Sequence, residues 1–303
     1  MFALLDSSSA AEWSMNEWFV EDFYEFVGSS HRKKLSILAF VFIMLKRFFF
    51  AFTGYRFLQG FYEKLFTLAL RGMNYGNGGN YRESGEKWVM EFVGRSFSDE
   101  KLVVFDVGAN VGNYGRALRS ILGKRASIHA FEPSAATFAK LQAVLGDDPS
   151  VMLNHAGLSN EPGVLTLYSN AEGSDFASVY PRNLDHHGVQ MNQKEEIQLK
   201  TLDDYCAEKI IDRIHFLKLD IEGNELNALK GARNLLDKGA IAMIQFEFGG
   251  CNVDARTYFR DYWLLLHNQF RIYRILKDGL AEVKQYNENF EIFANINYLA
   301  IKR

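Results

Sequence analysis

The stretch that decides the fold is Val103-Val104-Phe105-Asp106-Val107-Gly108-Ala109-Asn110-Val111-Gly112-Asn113. Its first half is an apolar run of strand length, and its second half is a turn that carries two glycines. Glycine lets a backbone turn sharply and lets a ligand approach without a Cβ in the way. Because a helical pattern begins at Asn113, the turn leads into a helix N-terminus with free N–H groups. The stretch predicts a strand, a ligand-binding turn and a helix, although a turn that only packs the helix on the strand would need the same glycines.

Short apolar strands alternate with helices from this turn to the end of the chain. Fully apolar strands between helices are typical of a parallel sheet covered on both faces, the doubly wound α/β architecture. The pattern predicts helices over residues 113–122, 135–145, 225–236 and 258–268. It predicts strands over residues 102–106, 127–132, 151–154, 214–221, 241–248, 270–276 and 297–302, with a hairpin of 163–168 and 196–200. The last two strands allow one antiparallel strand at the edge. Ligands of such sheets bind beyond the carboxyl ends of the strands.

The first quarter of the chain has a different pattern. Residues 1–72 are predicted as a helical extension and residues 73–303 as the α/β domain, with a loop rich in glycine and asparagine between them. The apolar run that begins at Leu35 is interrupted by Lys46-Arg47, which leaves it too short for a membrane-spanning helix. We therefore expect residues 31–52 to be buried against the domain or a second subunit, in a homo-oligomer, or to lie in a membrane interface with their cations at the headgroups; a spanning segment and disorder are the remaining alternatives.

The overall composition excludes several classes of protein. A hydrophobic content of 48% and a charged content of 23% describe an ordinary globular chain. The net charge of -3 gives no electrostatic case for a nucleic-acid partner. Cys206 and Cys251 have no ligand or disulfide spacing, which argues against structural zinc and favours a reducing, cytoplasmic location. Membrane association would come only from residues 31–52.

Residues at the carboxyl ends of the first three predicted strands indicate an adenosine-containing cofactor. The Gly-x-x-x-Gly spacing of Gly108 and Gly112 differs from the Gly-x-Gly-x-x-Gly of dinucleotide pyrophosphate sites. Asp106 would repel a pyrophosphate but suits a cationic amino-acid moiety, and S-adenosylmethionine carries an ammonium and a sulfonium. Glu132 can accept hydrogen bonds from both ribose hydroxyls, and Asn154 can contact the adenine edge.

Residues at the carboxyl ends of the predicted strands 214–221 and 241–248 indicate acid–base chemistry. Lys218, Asp220 and Glu222 alternate at the end of one predicted strand, and Glu247 lies at the end of the next. Buried ionisable residues are costly unless they are paired, so they mark a functional site or a salt-bridge network around Lys218. If the two strands are neighbours, Asp220 and Glu247 lie within one or two strand spacings. Such a pair can position an acceptor hydroxyl, take its proton or hold a divalent cation.

Several motifs together resemble the FkbM-type family of S-adenosylmethionine-dependent methyltransferases, over about residues 73–302. They are Ser84-Gly85-Glu86, Phe105-Asp106-Val107-Gly108-Ala109-Asn110-Val111-Gly112, Phe131-Glu132-Pro133, Thr201-Leu202-Asp203-Asp204, Leu217-Lys218-Leu219-Asp220-Ile221-Glu222-Gly223 and Gln245-Phe246-Glu247. The resemblance implies a Rossmann-like, mostly parallel seven-stranded sheet. It also implies O-methylation of a hydroxyl on a sugar, a glycan or a secondary metabolite.

The resemblance assigns roles to particular residues. It implies that the cofactor is held by Asp106, Gly108, Asn110, Gly112 and Glu132, to which we add Asn113 and Asn154. It places Asp220, Glu222 and Glu247 near the transferred methyl group, with Asp220 the first choice of base and Glu247 the second. We predict no metal site, although these carboxylates could hold a divalent cation.

Two other functions remain open. The chain could be a non-catalytic cofactor-binding scaffold, or an NAD-dependent oxidoreductase, which the loop spacing and Asp106 disfavour. A polar segment that carries Ser174, Asp175 and His186-His187 forms either a lid over the acceptor or a solvated loop.

Overall fold

A computed structural model of the chain describes residues 52–76, 81–98 and 100–303. The chain divides into two compact units, Met1–Phe66 and Thr67–Arg303. The predicted membrane or subunit contact of residues 31–52 lies outside the described residues except for Phe52, and it stays a prediction. The predicted division into a helical extension, residues 1–72, and an α/β domain, residues 73–303, also stays a prediction. In the described part of the chain, no helix has the length and apolar character that crossing a membrane requires.

Helices and strands alternate along the chain as the sequence predicts. The helices are α1 Gln59–Gly72, α2 Glu86–Ser96, α3 Asn113–Leu122, α4 Ala135–Leu145, α5 Leu202–Lys209, α6 Glu225–Lys230, α7 Arg233–Asp237, α8 Cys251–Ala255 and α9 Phe259–Leu266. The strands are β1 Leu102–Val107, β2 Ala126–Phe131, β3 Val151–Asn154, β4 Gly157–Leu158, β5 Gly163–Ser169, β6 Gln193–Lys200, β7 Ile214–Leu219, β8 Ile241–Phe248, β9 Phe270–Leu276, β10 Gly279–Val283 and β11 Ile296–Lys302.

The main sheet has the strand order β10-β9-β11-β8-β7-β1-β2-β3. Strands β3, β2, β1, β7 and β8 are parallel, so the predicted doubly wound, mostly parallel fold is confirmed. The sheet has eight strands rather than seven, because β10 forms within the polar stretch after β9. The antiparallel strand β11 lies between β8 and β9 and not at the edge. Its residues from Ile296 to Ala300 are all buried, which suits an inner strand.

Alternation along the strands builds a core on each face of the sheet. Phe105 and Leu217 belong to one buried cluster, whereas their neighbours Val104 and Phe216 belong to the other. Side chains of successive strand residues point to opposite faces, so one apolar strand supplies both cores. All six residues of β7 are buried, as expected for a central strand.

Two local features differ from or extend the predictions. The predicted hairpin forms as the antiparallel pair β5–β6, in a separate three-stranded sheet with β4. The predicted helix 225–236 is broken into α6 and α7 at Gly231. A Cβ on Gly231 would lie 2.1 Å from the carbonyl oxygen of Ser159, and its own carbonyl accepts a hydrogen bond from Asp203 N at 3.0 Å. The close approach of the chain at Ser159 to Gly231 therefore ends α6.

Candidate functional site

The carboxyl ends of β1, β2, β7 and β8 open into a cavity of about 1650 Å³. Of the predicted site residues, those in its wall are Gly108, Asn110, Asn113, Glu132, Asp220, Glu222 and Glu247. The remaining three, Asp106, Gly112 and Asn154, are not among the residues that line it. The structure thus brings the predicted cofactor and reaction sides to one space.

The glycine turn is pressed against the end of β7. Gly108 has φ of 77°, and a Cβ there would lie 1.8 Å from the carbonyl oxygen of Asp220. The backbone N–H of Asp220 donates to Val107 O at 3.1 Å. Only glycine fits this position, because any side chain would separate the turn from the strand end that carries the predicted base.

Two of the predicted cofactor residues have structural contacts of their own. Gly112 lies just before α3 with φ of 88°, and a Cβ there would lie 3.0 Å from Leu141 Cδ1. The amide of Asn154 donates to Ala130 O at 3.2 Å and to Met152 O at 3.1 Å. The close approach at Gly112 lies between the start of α3 and α4, and the amide of Asn154 joins β3 to β2; neither residue lines the cavity.

Asp106 is matched by a lysine and does not face the cavity. Its carboxylate is fully buried, and its Oδ1 lies 3.3 Å from Lys218 Nζ. The same Nζ lies 3.3 Å from Asp220 Oδ2 and donates to Gly108 O at 3.2 Å. Burial lowers the pKa of Lys218, yet the carboxylates of Asp220 and Asp106 raise it above its usual value. Asp106 therefore contacts a cation as its type suggested, but the cation is an internal one.

Glu132 lies at the wall of the cavity with both oxygens in use. Oε2 accepts from Asn110 N and Oε1 accepts from Ser134 N, both at 3.0 Å. A carboxylate oxygen has two lone pairs, so each oxygen can accept one more hydrogen bond from a ligand. Burial raises the pKa of Glu132 to about 7, although the two backbone hydrogen bonds oppose the shift.

The reaction side holds three carboxyl groups with different partners. Asp220 is paired with Lys218, and its side chain is 40% exposed. Glu222 has φ of 52° and forms an ion pair with Arg182, which also lies 3.6 Å from Asp254 Oδ2. Glu247 is 6% exposed, and burial raises its pKa well above the usual value, as do Asp220 and Glu222. Asp220 is thus the most accessible of the three.

Residues 170–192, here called the strap, connect β5 to β6 and contact both sides of the cavity. At the glycine turn, Asn110 Nδ2 donates to Asp175 Oδ1 at 2.7 Å. At the end of β7, Ser178 Oγ donates to Glu222 O at 2.7 Å. The polar segment is therefore anchored over the strand ends, which favours the lid over the solvated loop.

Functional candidates on α2 and in the strap were not predicted from the sequence. Glu86 lines the cavity and accepts from Ser84 Oγ at 2.9 Å and Gln245 Nε2 at 2.8 Å. The preceding Gly85 has φ of 95°, and a Cβ there would lie 2.1 Å from Leu276 O. The Ser84-Gly85-Glu86 motif was the available signal for this site. Arg182 had none, because a single arginine in a polar segment has no distinguishing pattern.

Comparison with known proteins gives several relatives that are named methyltransferases. A protein of Beauveria bassiana named methyltransferase 1 is 28% identical over 150 residues, which are 45% of this chain and 59% of that protein. The hexuronic acid methyltransferase of Haloferax volcanii is 26% identical over 155 residues, 50% of this chain and 59% of that protein. The 2-O-methyltransferase of Sinorhizobium fredii is 24% identical over 145 residues, 45% of this chain and 59% of that protein. The matches thus span about three fifths of each relative.

The solved structures that resemble the fold are distant. Fibrillarin of Aeropyrum pernix, solved with natively bound S-adenosyl-L-methionine, is 12% identical with a TM-score of 0.38 and covers 71% of this chain and 74% of its own. The Methyltransferase FkbM domain, in contrast, matches residues 106–273, which is more than half of the chain and runs from the glycine turn to β9. The chain therefore belongs to the FkbM methyltransferase domain family.

Proposed function

We propose that this chain is an S-adenosylmethionine-dependent O-methyltransferase that acts on a hydroxyl of a sugar, a glycan or a secondary metabolite. The observation that carries the proposal is that Gly108 and Glu132 face the same cavity as Asp220 and Glu247. A methyl donor held by the first pair would present its methyl group toward the second.

The cofactor side fits S-adenosylmethionine in shape and charge. Gly108 has no Cβ to obstruct the turn, and Glu132 keeps acceptor capacity for ribose hydroxyls. The carboxyl groups of Asp220, Glu222 and Glu247 make the opposite wall electronegative, which suits a cation. When it is bound, S-adenosylmethionine supplies a methyl group on a sulfonium leaving group.

Asp220 is placed to take the proton of the acceptor hydroxyl. It is the accessible carboxyl of the reaction side, and Lys218 fixes its orientation from behind at 3.3 Å. Lys218 stays protonated because two carboxylates raise its pKa, so it cannot compete for the hydroxyl proton. The residues of this chain thus align the acceptor, exclude water beneath the strap and accept one proton.

The relatives support oxygen as the atom methylated. One is named a 2-O-methyltransferase and another a hexuronic acid methyltransferase, so hydroxylated sugars are the first acceptors to test. One argument against the oxidoreductase alternative no longer holds, because the buried Asp106 would not meet a pyrophosphate. It is still disfavoured by the Gly-x-x-x-Gly spacing and by the family. Measuring methyl transfer distinguishes the scaffold alternative from an enzyme, because a scaffold binds the cofactor without turnover.

The test is a pair of measurements on the full chain. Isothermal titration with S-adenosylhomocysteine, with NADH as the control, establishes the cofactor class. Incubation with methyl-labelled S-adenosylmethionine and a panel of hexuronic acids, neutral glycans, polyols and amines then measures transfer. We expect binding of S-adenosylhomocysteine alone and label in a methyl ether. Binding of NADH alone overturns the cofactor, label only in amines overturns the oxygen acceptor, and binding without any transfer favours the scaffold.

A further inference from the structure

A cluster of three side chains at the end of β8 takes no part in the proton transfer described above. Glu222, Glu247 and Cys251 each bring one potential metal ligand, two carboxylate oxygens and a sulfur, and these atoms all lie within 4.8 Å of one another. Glu247 is the penultimate residue of β8, Cys251 begins α8 four residues later, and Glu222 follows β7. Parallel neighbouring strands therefore assemble the cluster at the same edge as the cavity.

The carboxyl of Glu247 points to a missing partner. It is only 6% exposed and lines the cavity, yet no hydrogen-bond donor or cation among the described residues contacts it. Its neighbour Gln245 donates instead to Glu86 and Asn297. Its carboxyl lines the cavity, where a ligand can reach it, and largely buried charges in proteins are normally paired or bound to metals.

The surroundings of Glu247 supply negative charge rather than a cation. The strongest charge influences on its carboxyl come from Asp220, Glu222, Glu225 and Glu86. The nearby Arg182 is already shared between Glu222 Oε2 and Asp254. That ion pair leaves Oε1 of Glu222 for another partner. The group that would satisfy the cluster is therefore a cation small enough to fit among three ligand atoms.

We propose that Glu222, Glu247 and Cys251 form a binding site for a divalent cation of the zinc type, with its open coordination position toward the cavity. A thiolate ligand favours zinc over magnesium or calcium, which bind oxygen. Three protein ligands with an open fourth position are typical of catalytic zinc sites. Ligands about 2.0–2.3 Å from a tetrahedral ion lie roughly 3.3–3.8 Å apart, so the side chains close by about 1 Å on binding. The thiol of Cys251 releases its proton to solvent as the ion binds.

The position of the site suggests what the ion does, and this step rests on the proposed methyltransferase function. Glu222 and Glu247 lie beside Asp220, so a hydroxyl in the open position would sit next to the base. A bound cation lowers the pKa of a coordinated oxygen, and Asp220 would then remove its proton more easily. The ion would thus select acceptors with a hydroxyl that can reach this corner of the cavity.

Cobalt provides a readout of the site that does not depend on methyl transfer. The full chain, stripped of metal by a chelator, is titrated with Co²⁺ while the near-ultraviolet absorption is followed. We expect a thiolate-to-cobalt charge-transfer band that saturates at one equivalent and disappears when Zn²⁺ is added. Cys251→Ser should lose the band, whereas Cys206→Ser is the matched control and should keep it, since Cys206 is the other cysteine of the chain and is buried in the core. Circular dichroism and binding of S-adenosylhomocysteine establish that both variants are folded.

Glu247→Gln gives a second measure should Cys251→Ser fail to fold. It should weaken Zn²⁺ binding at least tenfold in competition with a chromophoric chelator, because it replaces a ligand oxygen with a neutral amide. The absence of a band, a band that survives Cys251→Ser, or unchanged zinc affinity in Glu247→Gln overturns the site. Methyl transfer that proceeds undiminished after the metal is removed overturns its role in activating the hydroxyl. Failure of all transfer, with the cobalt band intact, rejects the methyltransferase proposal and keeps the metal site.

Discussion

The acidic residues at the ends of β1 and β2, one half of the site, differ in exposure and in partners from those at the ends of β7 and β8, the other half, although Lys218 pairs with Asp106 of the first set and Asp220 of the second. At the ends of β1 and β2, the carboxylates of Asp106 and Glu132 are matched within the fold, by Lys218 and by two backbone N–H groups. At the ends of β7 and β8, Asp220 remains 40% exposed and Glu247 is buried without a donor among the described residues.

This difference separates binding from chemistry. Glu132, whose two oxygens already accept backbone hydrogen bonds, needs little rearrangement when a ligand binds, so the affinity of this side is preorganised. A reaction side with under-satisfied carboxyl groups keeps the capacity to take a proton or a cation. Changes on the first side should therefore affect binding and stability, and changes on the second should affect turnover.

The largest expected effect is at the contact between the two halves. Gly108→Ala places a Cβ 1.8 Å from Asp220 O and forces alanine into a positive φ. We expect a loss of about 2 kcal/mol or more in the free energy of unfolding, because strain and a backbone clash add together. Urea unfolding measures the loss of stability, and titration with S-adenosylhomocysteine measures any change in cofactor affinity.

Gly163→Ala is the control, since Gly163 begins β5 and a Cβ at this position would have no atom within 4 Å. Equal stability of the two variants would mean that the turn relaxes freely, and the contact between the halves would then not be required for the fold.

The second prediction tests the reaction side alone. Asp220→Asn keeps the size of the side chain but cannot accept the hydroxyl proton. We expect turnover to fall by about 100-fold or more, with the affinity for S-adenosylhomocysteine changed by less than about threefold. Asp237→Asn, on the exposed surface beside Arg233, is the matched control and should leave turnover unchanged. If cofactor affinity falls as far as turnover does, the separation between the two halves is wrong.

The fold was predictable where a local pattern is sufficient. The bounds of α3, α4, β3 and β8 agree with the sequence prediction, because each is a periodic run ended by a polar or glycine residue. Strand order and contacts between residues far apart in the sequence were not predictable from local patterns. The inner position of β11 depends on its burial between β8 and β9, and the break at Gly231 depends on a loop that comes from residue 159.

The sequence predicted which residues reach the cavity better than it predicted which side chains those residues contact. Strand-end residues such as Glu132 and Asp220 reach the cavity because the sheet places all parallel carboxyl ends at one rim. The orientation of Asp106 was not predictable, since Lys218 reaches it only through the pairing of β1 with β7. Arg182 reaches Glu222 from 40 residues away, and a sequence gives no signal for such a contact.

The third prediction concerns the cofactor side. Glu132→Ala removes the acceptor for the ribose hydroxyls and leaves the N–H groups of Asn110 and Ser134 without their partner. We expect the dissociation constant for S-adenosylhomocysteine to rise at least tenfold, about 1.4 kcal/mol. Glu208→Ala, an exposed change, is the control. An unchanged dissociation constant would remove Glu132 from the cofactor site.

The smallest expected effect is a pH dependence of the same contact. Burial raises the pKa of Glu132 to about 7, and the protonated form of its carboxyl has lost acceptor capacity. The ionised form binds ribose hydroxyls better, so affinity for S-adenosylhomocysteine should fall a few-fold as the pH drops through about 7, and binding near that pH should release protons. Burial also raises the pKa of Glu225 to about 7, so the pH profile alone does not identify the group. Glu132→Gln identifies it: titrations in buffers of different ionisation enthalpy should show proton release for the unaltered chain and none for this variant. Equal proton release in both would assign the titration to a group other than Glu132, such as Glu225 or the cavity residue Glu222, whose pKa burial raises to about 8, and the preorganised cofactor side would then be insensitive to pH.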